Sequence, residues 1–355
     1  MAKSGHVSAY HYTVGLPLFC GCFRIYNERM TNIDPALIAA AAFYDEHYAA
    51  AQPLFLRPSD KIFLGNKNER LCRFCGLGEQ DATFKDEAHA IPEALGNKSL
   101  FSYYECDACN SFFGKGIEND LGNWSKPSRT LYRIRGKKGV PSIKKRGEKP
   151  GWRIDYEPTG FVIKQYEDDP LMIVDEANKT ITFELTRDAY TPVAVLKAFV
   201  KIGLTVMPSE ELSNFIEAMT WIREADHSKG LVNEFPLIRS FQPGPMPNDV
   251  TVLMLFRRRI NVTGVPYAFF VLSFGNEVFQ VFLPSPKQDA AINGVKLNLP
   301  PFPVPGSIDR AKYGNTTVAV VDLTGRTVVR GETVPYAMGF ENFTRDEPEA
   351  DAKSG

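Results

Sequence analysis

The sequence predicts an α+β protein in which a small cysteine-pinned core is joined to a larger mixed α+β domain. Three observations predict it. Two Cys-x-x-Cys pairs, Cys72/Cys75 and Cys106/Cys109, flank one segment, Leu71 to Gly114. Beyond Gly151, runs rich in β-branched and aromatic residues alternate with turn residues and are interrupted by two helical runs. The composition, 44% hydrophobic and 23% charged over 355 residues, is that of a globular chain long enough for two domains.

The same composition excludes several classes. The formal net charge of -1 gives no whole-chain argument for binding a polyanion, so the distribution of charge has to carry any such argument. No uninterrupted apolar run approaches the about 18 residues of a membrane span. Val14 to Phe23 is broken by Pro17 and followed by Arg24, without the n-region and cleavage site of a signal peptide. A cytoplasmic protein with no membrane part is expected.

Zinc in a structural site takes four soft ligands in a tetrahedron, and the two cysteine pairs supply four thiolates. The alternatives are two disulfides or four buried thiols. Disulfides fit poorly, because no export signal is found and Cys-x-x-Cys closes too tight a loop. Zinc binding would form part of the folding energy of so short and polar a segment. Cys20 and Cys22, in Phe19-Cys20-Gly21-Cys22, read as small buried cysteines or as a further metal role.

Between the pairs stands His89, in Ala88-His89-Ala90-Ile91-Pro92, and directly after the second pair stands Asn110. Hydrolysis of a phosphodiester needs a positioned base for water and a cation to take up charge on the phosphate. Neutral histidine suits the first task near pH 7. Asn110 and the carboxylates Asp86, Glu87 and Glu105 are hard oxygen donors suited to magnesium or manganese. A lone histidine is commonly structural; its place between two zinc pairs favours the catalytic reading.

These residues resemble the HNH endonuclease superfamily, in the branch where Cys-x-x-Cys pairs bracket a ββα-metal core. The resemblance covers roughly residues 70–125. It implies that His89, three residues before Pro92, is the general base, and that Asn110 ligates a catalytic divalent ion, magnesium or manganese, with nickel also compatible. It implies hydrolysis leaving a 5′-phosphate and a 3′-hydroxyl. Two positions depart from the pattern. The residue before the base often holds the metal, and here it is Ala88; Glu87, Asp86 or a carboxylate beyond the core, with Glu118 and Asp120 as candidates, has to replace it. The middle Asn of the family name falls on Phe101, so Asn97, Ser102 or a backbone carbonyl is left to orient His89. Relatives with such a core often serve in defence against phage or as restriction-type nucleases, with a partner domain that senses a ligand or site.

The elements follow in order. Residues 1–68 form an N-terminal extension. Tyr10 to Tyr26 alternates loosely, as in a strand or two. Asp34-Pro35 opens an alanine-rich helix through Ala51, and Lys61 to Gly65 is a strand. His6, His11 and His47 have no ligand spacing. Residues 69–125 are the core, with hairpin strands at 82–84 and 89–91 and a helix from Asp107 that turns Asn110 toward His89.

Residues 126–153 are basic. Lys126, Arg129, Arg133, Arg135, Lys137, Lys138, Lys144, Lys145 and Arg146, with Lys149 and Arg153, face a single acid, Glu148. Trp124, Tyr132 and Trp152 flank or interrupt the run. Such an arm beside a nuclease centre would hold backbone phosphates of DNA, expected to be double-stranded, and specify little.

Residues 154–340 read as one α+β domain. Strands are expected at 153–156, 160–164, 171–175 and 180–185, then helices from Tyr190 to about Ile202 and from Pro208 to about Arg223, the latter capped by Ser209. Further strands are expected at 250–256, 267–274, 277–283, 315–322 and 327–329, with an ordered proline-rich loop at 297–305. Arg257-Arg258-Arg259 is either a phosphate-binding extension or an exposed strand end. Residues 341–355 are expected to be a flexible tail.

The expected function is a metal-dependent DNA endonuclease with a structural zinc. The alternative is a non-catalytic zinc-containing nucleic-acid-binding module. An activating ligand or partner for the C-terminal domain and a homodimer are compatible with either, and no interface in the sequence demands one.

Overall fold

A computed structural model of the chain describes residues 34–145, 152–158, 160–164, 171–304 and 309–342. The expected strands at 10–26, the cysteines Cys20 and Cys22, the histidines His6 and His11, Arg146, Lys149 and the tail beyond residue 342 lie outside the described residues.

In chain order the elements begin with α1 (Pro35–His47), β1 (Tyr48–Leu56) and β2 (Ile62–Leu64). The central segment holds β3 (Ala88–His89), a 3-10 turn (Glu93–Leu95), β4 (Leu100–Ser102), α2 (Asp107–Lys115) and α3 (Ile117–Leu131). Then come β5 (Ile143–Lys144), β6 (Arg153–Glu157), β7 (Gly160–Lys164), β8 (Met172–Asp175), β9 (Thr180–Thr186) and α4 (Pro192–Val206). A 3-10 turn (Ser209–Asn214), α5 (Ile216–Ile222), β10 (Leu237–Phe241), β11 (Thr251–Arg258), β12 (Ala268–Phe274) and β13 (Glu277–Leu283) follow. The last elements are α6 (Arg310–Tyr313), β14 (Thr317–Val321) and β15 (Thr333–Gly339). The α+β class is as expected.

Among the described residues the strands form one sheet of six, in the order β1-β11-β12-β13-β10-β14, and three sheets of three, β15-β9-β8, β2-β4-β3 and β5-β6-β7. Side chains alternate across the large sheet. Leu253, Leu255, Phe270, Leu272, Phe279 and Val281 face one core; Phe256, Phe269, Val271, Val278 and Phe282 face a second, closed by Tyr44, Phe302 and Val304. The proline-rich loop, described as far as Val304, gives Phe302 and Val304 to that core, and the Tyr44 hydroxyl donates to the Pro300 carbonyl.

The first core does not stop at the expected boundary near residue 154. It runs from the cysteine segment, through Phe113, Ile117, Leu121 and Trp124, into α4 and onto the large sheet. Helix α4 is buried nearly all round, as an apolar helix at the centre of a protein should be. Gly203 lets it approach the sheet, since a β-carbon there would lie 2.5 Å from Leu283 Cδ2. Nor is residue 68 a boundary: β1 pairs antiparallel with β11 and so belongs to the C-terminal sheet.

Several local expectations need correction. The first helix ends at His47, not Ala51; Tyr48 to Leu56 is strand because the ladder to β11 outweighs the helix propensity of three alanines. The core hairpin pairs 88–89 with 100–102, while 82–84 is not a strand. The run from Pro208 divides into a 3-10 turn and a short α-helix. Ser209 makes no capping bond to it and accepts from Arg73 instead. Tyr190 and Val329 form an isolated bridge where the 327–329 strand was expected, and β10 and β15 complete sheets the sequence pattern did not announce.

Two polar anchors join the cysteine segment to α4. Arg73, inside the first cysteine pair, donates to the carbonyls of Leu204, Thr205 and Met207 at 2.6, 2.9 and 2.8 Å, satisfying the open carbonyls of the helix end. Lys201 is fully buried, with its ammonium 2.8 Å from Glu105 Oε2 and 2.8 Å from Glu118 Oε1. Burial opposes its charge, but the two carboxylates hold its pKa above the ordinary lysine value. Burial pushes Glu105 up to about 7 despite that ammonium. Removing one member of a buried ionic set leaves uncompensated charge. Lys201→Ala should therefore cost about 3–5 kcal/mol of stability, measured by urea denaturation.

Candidate functional site

The four cysteines come together as the sequence predicted. Their sulfurs all lie within 4.8 Å of one another, and Cys75 Sγ is 3.7 Å from Cys106 Sγ. A zinc tetrahedron with 2.3 Å bonds has sulfur–sulfur edges of about 3.8 Å, so the donor set fits structural zinc. The first pair sits on a tight loop in which Gly76 N–H donates to the Cys72 carbonyl at 2.8 Å. Gly76 turns there with φ +75, a left-handed conformation. The second pair begins α2, where open backbone N–H groups favour thiolate. A hydrogen bond from Cys109 holds Cys72 down to about 4, while the same bond raises Cys109. One thiolate thus suppresses the ionisation of its neighbour, and a cation is what allows all four.

His89 lies on β3, directly opposite Phe101 on β4, with ring centroids 4.8 Å apart. Its side chain is 27% exposed. Nδ1 is buried without a hydrogen-bond partner, and Nε2 stands 4.0 Å from Glu93 Oε2. Burial depresses the His89 pKa below the ordinary 6.5, against the opposing pull of the Glu93, Glu118 and Glu87 carboxylates. The imidazole is therefore neutral at pH 7, the form that accepts a proton or binds a metal.

The remaining expected site residues divide. Asn110 is half-buried on α2, one residue past the last cysteine, and its amide makes no side-chain hydrogen bond among the described residues. Glu87 is exposed and paired with Lys61 at 3.1 Å. Asn97 is buried and spent on the loop between β3 and β4: it donates to the Ile91 and Leu100 carbonyls at 2.7 and 2.9 Å and accepts from Ser99 and Leu100 N–H. Asn97 thus holds the chain that follows His89 and does not bond the imidazole. Ser102 accepts from Tyr104 N–H. Glu105 and Glu118 are taken by Lys201, and Asp120 by the Thr191 N–H. Sequence reasoning missed Glu93; its place four residues after His89, just past Pro92, was the signal available.

The basic segment is not one surface. Lys126 and Arg129 belong to α3. Lys126 pairs with Asp188 at 2.8 Å, and Arg129 is buried, donating to the Ala94 and Gly122 carbonyls and to Ser125. Neither is free for phosphate, because the helix runs on through Leu131 and turns both inward. Trp124 and Trp152 are core residues, and Tyr132 donates to Glu277. Arg133, Arg135, Lys137, Lys138, Lys144 and Lys145 are exposed. The turn that carries the first four packs on the 3-10 turn after His89. A β-carbon on Gly136 would lie 3.4 Å from Ala94 Cα and 3.5 Å from the Glu93 carbonyl. The arginines at 257–259 form no phosphate face: Arg257 pairs with Glu211, Arg258 donates to the Val265 and Gln288 carbonyls, and Arg259 donates to the Asp45 carbonyl. No helix of the described residues is long and apolar enough to cross a membrane.

The depressed His89 pKa has a signed consequence. The unfolded chain, with the ordinary value, binds more protons than the folded one just below pH 6.5. Stability from this group is complete above 6.5 and is lost as pH falls through the folded value. The His89 ring resonances, followed by NMR, should titrate with a midpoint below 6.5.

No curated protein matches the chain, and no solved structure does. The family model described as HNH endonuclease matches residues 72–124, from the first cysteine of the cluster to Trp124 of α3. That span contains the four sulfurs, His89 on its short hairpin and Asn110 on the helix behind it. Residues 72–124 are an HNH endonuclease domain with a four-cysteine cluster of the zinc-bound kind.

Proposed function

We propose that the protein is a metal-dependent endonuclease that hydrolyses phosphodiester bonds of DNA, with His89 as general base. One observation carries this reading: a neutral, half-buried imidazole on the hairpin of an HNH domain, with a cationic turn docked beside it. His89 would take a proton from water as the water attacks phosphorus and the P–O3′ bond breaks, the leaving oxygen taking a proton from solvent to become the 3′-hydroxyl. Its depressed pKa keeps the imidazole ready at neutral pH. Asn97 fixes the loop that sets the ring's position. The Asn110 amide oxygen, which makes no side-chain hydrogen bond among the described residues, would hold a divalent ion such as magnesium or manganese. Such an ion, when bound, supplies Lewis-acid stabilisation of charge on the phosphate. The zinc at the cysteines is structural and separate. Arg133, Arg135, Lys137 and Lys138 would hold the backbone on either side of the cut.

Purified protein should convert supercoiled plasmid to nicked or linear DNA in magnesium or manganese, with about one zinc per chain as the site chemistry requires. His89→Ala should lose at least about 10²-fold in rate, the scale of general-base catalysis, and keep its zinc. Full cutting by that variant would overturn the assignment. DNA bound but never cut by the parent, under each ion, would favour the non-catalytic binding module, which the absence of a ligand at Ala88 also fits.

The exposed turn has its own signature. Replacing Arg133, Arg135, Lys137 and Lys138 together by glutamine should weaken binding of DNA of any sequence and flatten its salt dependence, by a slope of about 0.9 for each phosphate no longer neutralised. Arg129→Gln should instead lower stability, measured by thermal unfolding, because its guanidinium is spent on carbonyls of the fold.

A further inference from the structure

We propose that Glu93 is a divalent-ion ligand of the candidate site, taking the place left open by Ala88. The inference rests on the reading of the site given above and extends it to a residue that reading did not use.

Three carboxylates act on His89: Glu93, Glu118 and Glu87, in falling order. Two are already engaged. Glu118 bonds the buried Lys201 ammonium at 2.8 Å, and Glu87 is held by Lys61 at 3.1 Å. Glu93 makes no side-chain hydrogen bond among the described residues, and its ion-pair contact found there is with His89, whose imidazole is neutral at pH 7. The 4.0 Å between Glu93 Oε2 and His89 Nε2 is too long for a hydrogen bond. It is wide enough for one water, so an ion held by Glu93 would present its water to the imidazole nitrogen and leave that nitrogen free to take the proton.

The carboxylate is also held in place. Its 3-10 turn is pinned from outside by Arg129, which donates to the Ala94 carbonyl at 3.1 Å, and is closed by Gly96 N–H donating to the Glu93 carbonyl at 3.0 Å. The same turn lies beneath Gly136 of the cationic turn. An ion on Glu93 would thus lie close to both the imidazole and the turn that carries Arg133, Arg135, Lys137 and Lys138. A neutral amide oxygen binds such an ion weakly alone, and a carboxylate supplies the missing charge.

The test is an electron-paramagnetic-resonance titration of manganese with zinc-loaded full-length protein, comparing the parent with Glu93→Gln and Glu87→Gln. Zinc content and circular dichroism are measured on each. The parent should bind one manganese more tightly than the rest. Glu93→Gln should weaken that site at least tenfold with zinc and fold retained, and Glu87→Gln should stay within twofold of the parent. Equal binding by Glu93→Gln and the parent overturns the proposal, as does a parent with no saturable manganese site. A Glu93-dependent manganese site in a protein that cuts no DNA would uphold the ligand while removing the nuclease reading, so the two fail separately.

Discussion

A lysine ammonium with no access to water sets the terms on which this protein folds. Lys201 lies on the central helix α4, and its charge is tolerable only because Glu105 and Glu118 meet it from two sides. Glu105 immediately precedes the third cysteine of the cluster, and Glu118 lies in the first turn of α3. The ammonium therefore holds the start of α2 and the start of α3 against α4 at once. Arg73 does the same for the first cysteine loop by satisfying the end of α4. The cysteine segment has only short strands, and its buried apolar residues, among them Phe74, Ile91, Leu100 and Phe113, belong to a larger cluster. It acquires its core by sharing the one built on α4 and the large sheet.

This arrangement gives the C-terminal region a physical role. The six-stranded sheet and α4 are the floor on which the HNH domain is laid, and β1, from before the domain, closes the edge of that sheet. Chain on both sides of residues 72–124 thus contributes to one packed body. The cysteine cluster and the buried ion set divide the work. The sulfurs close the segment on itself, while Lys201 and Arg73 orient it toward the rest of the molecule.

The carboxylates around the candidate site show how charge is allocated. Glu105 and Glu118 are committed to an internal cation, Glu87 to a surface lysine whose screened ion pair is weak. Glu93 alone among those acting on His89 is uncommitted. The arginines follow the same logic. Those on α3 and at the end of β11 are absorbed by carbonyls and carboxylates, and those on the turn after α3 keep their charge for solvent or a ligand.

The sequence by itself determined the four-cysteine cluster, the α+β class, the start of the helix at Asp34-Pro35 and most long strands. Each of these rests on short-range chemistry: ligand spacing, a proline after a cap, or alternation along a strand. The tertiary structure decided the rest. It turned Ala49 and Ala50 into strand by pairing them with β11, and set the first hairpin strand at Ala88 and His89, paired with Ser102 and Phe101. It sorted the basic run into buried and exposed halves according to where α3 ends. It set the Glu93 carboxylate, on the 3-10 turn after Pro92, 4.0 Å from His89 Nε2. Long-range hydrogen bonds and desolvation govern these outcomes, and neither is local enough to be written in residue spacing.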